Sequence, residues 1–351
     1  MRICFLGNFT GGGTESACFK VVNELVKEHT VFILSTSKIK HSFYLDEKIQ
    51  FSNIVNHSLI GKNVEVSCFL KTKKIDILVT LEAMAGIFSI LPALITGCKH
   101  IIWEHANYFQ NQGSKYIQII RQIELKLTDA YVVLTKRDLK NFQTHFRSRA
   151  YLTYIYNIAS PQAKRQYNLE SKTIISVGRI RKIKNFVAIP DIAKRVFEKH
   201  SDWCWKIYGA MEGEEYEKLK SKIKQYGLQD KIIFMGRCKD MDVEYQKASM
   251  YVMTSLQEGL PMVLLEAKSN KLPLISFDIE TGPSEIIRDS VNGYLIPSYD
   301  ISKMAESICC LIADTELRKS FSDNAGLDLE KFSSEKIIEQ WNNLIKNVTE
   351  R

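Results

Sequence analysis

Short apolar runs of strand length alternate with stretches of helical period along almost the whole chain, and the alternation breaks once and then restarts. A pattern of this kind confines a chain to α/β architecture with parallel sheets, because each strand must be carried back by a helix packed on the sheet face. The first series opens with the strand Arg2-Ile3-Cys4-Phe5-Leu6. A helix with apolar positions at Ala17, Val21, Val22, Leu25 and Val26 follows, then a strand from Val31 to Leu34. Further strands are predicted over 75–80, 99–103, 130–134 and 151–155, with helical connections over 88–96 and from about Lys115. Asn157-Ile158-Ala159-Ser160-Pro161 has no apolar period and reads as a linker, which puts a boundary between about 157 and 170. The second series has strands over 173–177, 203–208, 232–235, 250–255 and 272–277, joined by helices over 186–200, 214–226 and 242–248 and another after Pro261. Ser284 is the predicted N-cap of a helix over 285–288. Two helical stretches close the sequence, 303–328 with a break near Asp314 and 334–348 with a capping signal at Ser333-Ser334-Glu335. The expected fold class is therefore α/β, with two doubly wound parallel sheets, and 351 residues suffice for two cores.

Composition narrows the class. An apolar fraction of 45% with 25% charged residues belongs to a folded soluble chain rather than a disordered one. Eight cysteines are scattered without a C-x-x-C pair and read as reduced core residues of a cytosolic protein, not as a disulfide framework or a zinc site. The longest apolar window, 85–98, contains Pro92 and is too short to span a bilayer, and no basic-then-apolar leader precedes the first strand. The net charge of +8 is lopsided: residues 1–165 carry 21 Lys and Arg against 12 Asp and Glu. A basic first half attracts anionic lipid headgroups or a phosphorylated acceptor, or is simply a solvated lysine-rich surface. Nucleic acid is not an expected partner, because no basic recognition helix or aromatic RNA-binding motif is present.

The chemistry concentrates at Glu258-Gly259-Leu260-Pro261-Met262-Val263-Leu264-Leu265-Glu266, between a strand and a helix. Gly259 permits a tight bend and Pro261 suits the first helical position, so the turn aims an open helix N-terminus at the carboxyl edge of a sheet, where anions bind. Glu258 sits on the turn, and Glu266 lies in an otherwise apolar helix where an unpaired charge is costly. A phosphate site flanked by two acidic acceptors suits a ligand that is part diphosphate and part sugar. A second cluster, Gly178-Arg179 with Lys184, follows a strand, and two such cations can neutralise a diphosphate, although such a basic turn in isolation reads first as a solvated one. The first strand runs into the glycine-rich turn 7–15, which is neither a G-x-G-x-x-G dinucleotide fingerprint nor a Walker A loop. Trp103-Glu104-His105-Ala106-Asn107 places polar groups at the carboxyl end of a buried strand.

Glu258 and Glu266, with seven residues between them as EGLPMVLLEA, resemble the E-x7-E signature of the retaining nucleotide-sugar glycosyltransferases of family 4. The resemblance implies the GT-B fold, two Rossmann-like domains facing across a cleft. It implies an acceptor-side domain over 1–160, a nucleotide-sugar domain over 161–333 and a last helix, 334–351, crossing back to the first domain. Arg179 and Lys184 become the phosphate clamp, Glu266 the partner of the ribose hydroxyls, and Glu258 the residue that grips the donor sugar. His105 would reach the transferring sugar. Gly12 and Gly13, in the form Gly12-Gly13-Thr14-Glu15, would lie over donor and acceptor. Gly209, Arg237, Gly259, Leu260, Met262 and Val263 complete the donor-binding set. The implied partners are a nucleoside-diphosphate sugar, UDP being the common one, and a glycan or lipid-linked acceptor of cell-surface polysaccharide or lipopolysaccharide. The implied place is the cytoplasm or the inner face of the cytoplasmic membrane. No metal or cofactor is expected, since two cations and a helix start suffice to meet the charge of a departing diphosphate. The motifs match over 173–297, less over 1–30 and 100–140, and weakly over 35–75. Asn185 and Pro261 stand where relatives often carry Gly, and neither change removes a charge. The competing readings are a nucleotide-sugar epimerase of the same fold, a non-catalytic partner subunit, and a dinucleotide dehydrogenase. The last lacks its glycine pattern.

Overall fold

The computed structural model describes residues 1–9, 12–37, 44–56, 58–111, 114–163 and 166–350. Thr10 and Gly11 of the glycine-rich turn lie outside the described residues. The chain forms two compact units, Met1–Ile158 together with Lys331–Arg351, and Ala159–Glu330.

In the first unit the chain runs β1 (Arg2–Gly7), α1 (Gly13–Leu25), β2 (Thr30–Ser35), β3 (Gln50–Asn53), α2 (Leu59–Thr72) and β4 (Ile77–Leu81). A 3-10 turn (Ala83–Phe88) then leads to α3 (Ile90–Thr96), β5 (Lys99–Trp103), α4 (Ile117–Leu127), β6 (Ala130–Val133), α5 (Lys136–His145) and β7 (Tyr151–Tyr154). The seven strands pair in the order β3-β2-β1-β4-β5-β6-β7, every pairing parallel. From β1 the chain first travels one way across the sheet and then, from β3, the other. Right-handed crossovers therefore put α1 on one face and α2 to α5 on the opposite face. The alternation of β1 follows: Cys4 and Leu6 pack under α2 and α3 with Val66, Leu70 and Ala93. His100 of β5 is buried, its Nε2 2.9 Å from Thr80 Oγ1 and 3.3 Å from Ser89 Oγ.

The second unit runs β8 (Thr173–Val177), two 3-10 turns (Lys182–Lys184 and Phe186–Ala188), α6 (Ile189–Phe197), β9 (Cys204–Tyr208), α7 (Glu214–Gln225), β10 (Ile232–Gly236) and α8 (Met241–Tyr245). It continues with β11 (Met250–Met253), α9 (Met262–Ser269), β12 (Leu274–Asp278), α10 (Pro283–Ile286), β13 (Gly293–Pro297), α11 (Ile301–Ala313) and α12 (Thr315–Asp323). Its six strands are also all parallel, in the order β10-β9-β8-β11-β12-β13.

The last helix, α13 (Ser334–Thr349), belongs to the first unit and packs on α1. Ser333 caps it by accepting from Lys336 N. Its Trp341 is fully buried, 4.9 Å from the ring of Trp103 and 6.4 Å from that of Phe5. The first unit thus closes with residues that follow the entire second unit.

Several local expectations need correcting. Pro261 is the N-cap of α9, not its first helical residue. Ser284 lies inside α10, which Gly282 caps and Pro283 begins. Strand β3 and helix α2 fall in a stretch where no strand or helix was expected. All eight cysteines are free, but Cys68, Cys238 and Cys310 are exposed rather than core residues. Among the described residues no helix is long and apolar enough to cross a membrane.

Candidate functional site

The carboxyl edge of the second sheet has a backbone-lined floor. Strand β10 ends at Gly236, and Gly178 and Gly209 directly follow β8 and β9, all three with positive φ. Gly178 N donates to Tyr208 O at 2.9 Å and Gly209 N to Gly236 O at 2.8 Å. A Cβ on Gly209 would lie 1.9 Å from Gly178 O, so no side chain fits there. Exposed Arg179 follows directly, and the next turn reaches Lys184 and Asn185. Asn185 sits at φ 51°, the left-handed region that Asn tolerates better than most residues. That explains how it stands in for a glycine.

This basic loop is tied to the turn before α9. Thr254 Oγ1 donates to Lys184 O at 3.0 Å, and Leu256 N donates to Ile183 O at 2.7 Å. The side chains meet as well: Lys184 Nζ and Glu258 Oε1 form an ion pair of 2.5 Å, both ends mostly shielded from solvent. Buried Thr281 donates to Glu258 O at 2.5 Å. Beside it Gly282, at φ 101°, lets the chain pass so close that a Cβ would come within 2.5 Å of Pro261 Cδ and 2.9 Å of Gly259 O. Helix α9 then starts with no side chain capping its N-terminus, so its first N–H groups and dipole are directed at the same region. Leu260 is buried there, while Met262 and Val263 are partly exposed.

Glu266 is held from another element. Tyr245 of α8, fully buried, donates its hydroxyl to Glu266 Oε2 at 3.2 Å. Burial, with the carboxylate beside it, raises the Tyr245 pKa well above the usual phenol range, so it stays a donor. Arg237 is different. It lies on the surface, 3.7 Å from Glu212, both side chains more than three-quarters exposed. A cavity of about 270 Å³ opens among Asn185, Asp191, Lys222 and Tyr299, and none of the predicted site residues lines it.

The first unit carries its own polar cluster. Gly12 and Gly13 begin α1, and a Cβ on Gly13 would meet open space. Thr14 Oγ1 donates to Glu82 Oε1 at 3.1 Å. Burial, and the nearby Glu104, raise the Glu82 pKa against that hydrogen bond. Glu104 is fully buried and accepts from Arg121 Nε at 3.1 Å, from Tyr131 Oη at 3.3 Å and from Ala106 N at 3.0 Å. Arg121 also donates to Tyr108 O at 2.7 Å and Asn107 O at 3.1 Å, so one guanidinium fixes the whole segment after β5. Within that segment His105 packs on Trp103, ring centroids 4.5 Å apart, and its surroundings push its pKa down to about 3. His105 is thus a neutral hydrogen-bonding group at pH 7.

Arg121, Glu124, Tyr245 and Thr281 were not singled out from sequence. The one signal for the first two was a pair of opposite charges three residues apart within 117–127, a run that also holds Gln118, Gln122 and Lys126. Among the described residues no group of three or more His, Cys, Asp or Glu could hold a metal ion.

Residues 159–327 match the family model described as glycosyl transferases group 1. The chain is 30% identical to an uncharacterized glycosyltransferase of Haemophilus influenzae, with 96% of this chain and 97% of that protein covered. It is 25% identical, with 99% of each covered, to a Campylobacter jejuni enzyme named GalNAc-alpha-(1->4)-GalNAc-alpha-(1->3)-diNAcBac-PP-undecaprenol alpha-1,4-N-acetyl-D-galactosaminyltransferase. The fold is similar to the crystal structure of Anabaena Alr3699/HepE in complex with UDP and glucose, with a TM-score of 0.85, 16% identity and 99% of each chain covered.

Proposed function

Because the chain belongs to the group 1 glycosyltransferases, we propose that it transfers a sugar from a nucleoside diphosphate, with UDP as the first candidate, to a hydroxyl of a glycan or lipid-linked acceptor of cell-surface polysaccharide. The observation that carries this reading is the pairing of Lys184 with Glu258 beside the uncapped start of α9. There a cation, a carboxylate and a row of backbone N–H groups converge on the carboxyl edge of a parallel sheet. This suits a ligand whose diphosphate continues into a hydroxyl-rich ring.

The roles then divide by chemistry. In the transfer, the bond between the anomeric carbon and the diphosphate oxygen breaks and a bond to the acceptor oxygen forms. Negative charge grows on the diphosphate, where Arg179, Lys184 and the α9 N-terminus stabilise it, an effect of several kcal/mol for such clamps. Glu258 accepts from sugar hydroxyls and Glu266 from the ribose. Configuration at the anomeric carbon is retained, and the acceptor proton passes to a diphosphate oxygen, which fits a site without an evident base. No step runs through a metal. The lipid-linked acceptor is suggested by the undecaprenol diphosphate in the name of the Campylobacter relative, and UDP by the HepE complex.

A donor screen by thermal shift, with UDP-, GDP- and ADP-sugars, tests the reading. Stabilisation by at least one of them is expected, followed by sugar transfer seen by mass spectrometry. Flat melting curves across the panel would reject it. The anomeric coupling of the product, read by NMR, tests retention.

A further inference from the structure

Helices α2, α3 and α4 lie side by side on one face of the first sheet, joined through the 3-10 turn at 83–88 that touches all three. Their outer surface is the reverse of an ordinary amphipathic helix layer. In α4 the ionisable residues Arg121 and Glu124 are fully buried, whereas Ile119, Ile123 and Leu127 are 59%, 44% and 47% exposed. These three recur every four residues and form one continuous stripe. Helix α3 has no charged residue and exposes Leu91, Leu94 and Ile95 by more than half. Helix α2 adds Ile60 and Val64, and the connecting turn, which contacts all three helices, adds exposed Ile87. Contiguous exposed apolar surface on this scale marks an interaction site.

The exposed charged residues of these three helices are basic. Lys71 of α2, Lys115 before α4 and Lys126 near its end are exposed. The one acidic residue of the three helices besides buried Glu124 is Glu65. Its carboxylate is tied back to the preceding loop, accepting from Val55 N at 2.9 Å and Asn56 N at 3.0 Å. An apolar face with a lysine rim complements a surface that is apolar inside and anionic outside. A second copy of the chain would set lysines against lysines.

We propose that the outer face of α2, α3 and α4 docks on an anionic phospholipid bilayer. Leu94, Ile119 and Ile123 enter the boundary between headgroups and acyl chains, while Lys71, Lys115 and Lys126 pair with lipid phosphates. This contact is independent of the sugar-transfer site and does not require the donor.

Co-sedimentation of the full chain with vesicles of phosphatidylcholine, alone or mixed with phosphatidylglycerol, tests it. Wild type binds the mixed vesicles and binds the neutral ones less. Replacing Leu94, Ile119 and Ile123 together by Ser lowers affinity for the mixed vesicles at least about tenfold, while leaving circular dichroism and melting temperature unchanged. Replacing the three lysines by Ser removes the preference for the anionic lipid. As a single-site check, Ile123→Trp gains fluorescence that brominated acyl chains quench. Absence of vesicle binding by wild type, or of quenching in Ile123→Trp, would overturn the proposal. So would a dimer in light scattering that the triple Ser variant dissociates while lipid binding is missing.

Discussion

Lys184 and Glu258, 74 residues apart in sequence, are joined by a 2.5 Å ion pair in the second unit. The pair links the cation assigned to the diphosphate with the carboxylate assigned to the sugar. The ammonium has two further protons to offer, so a diphosphate can be met without giving up the carboxylate. Each partner holds the other in place, and the pair lies mostly out of solvent, where such contacts matter more than on the surface.

Lys184→Ala and Glu258→Ala should each lower kcat by about a hundredfold or more, with native circular dichroism. If the pair works as a unit, the double variant is scarcely worse than either single one. Wild-type rates in both single variants would reject the assignment, and losses that multiply would separate the two roles.

Glu266 has a different expected signature. Glu266→Ala should raise KM for the donor about tenfold with little change in kcat, the loss of one charged hydrogen-bond acceptor for the ribose. Tyr245→Phe, which removes the 3.2 Å bond holding Glu266, should move KM in the same direction by less. Unchanged donor affinity in Glu266→Ala counts against the ribose role.

Glycines on the two units should respond unequally. Gly209→Ala places a methyl 1.9 Å from Gly178 O at φ 145°, and a loss of about 3 kcal/mol or more is expected in urea unfolding. Gly13→Ala meets open space at the first residue of α1 and should change stability by less than about 1 kcal/mol. Equal effects would mean the close approach at Gly209 relaxes freely.

Acid should act on the first unit through His100, whose pKa burial pushes down to about 4. A histidine that binds protons less readily when folded contributes fully above about pH 6.5, and the contribution is lost as pH falls toward 4. Wild type should therefore lose up to about 3 kcal/mol between pH 7 and 4 relative to His100→Gln, measured by urea unfolding. Asp138 tilts the other way. Burial raises its pKa to about 7, so the folded state binds the proton first and gains stability as pH falls through that range. Asp138→Asn should deepen the acid loss.

The order of most strands and helices was legible because each has a local signature of period or turn residues; Lys184, Glu258 and Glu266 stood out by spacing around a helix start, and the structure brings the first two together. What escaped depended on partners distant in sequence. Ser284 is a good capping residue, but Gly282 and Pro283 take the helix start because the chain must squeeze past Pro261. Helix α4 looks amphipathic from either side, and only burial beside Glu104 shows that Arg121 and Glu124 face inward. Strand β3 pairs at the sheet edge with a mostly polar sequence, Gln50-Phe51-Ser52-Asn53, which carries little apolar alternation to detect.

The position of Trp341 sets an order of assembly. During synthesis the residues of the second unit leave the ribosome before α13 does, so that inserted body can finish folding while its host still has an open groove over Phe5 and Trp103. Helix α13 then acts as a latch, and a chain stalled before it exposes a greasy slot for chaperones to shield.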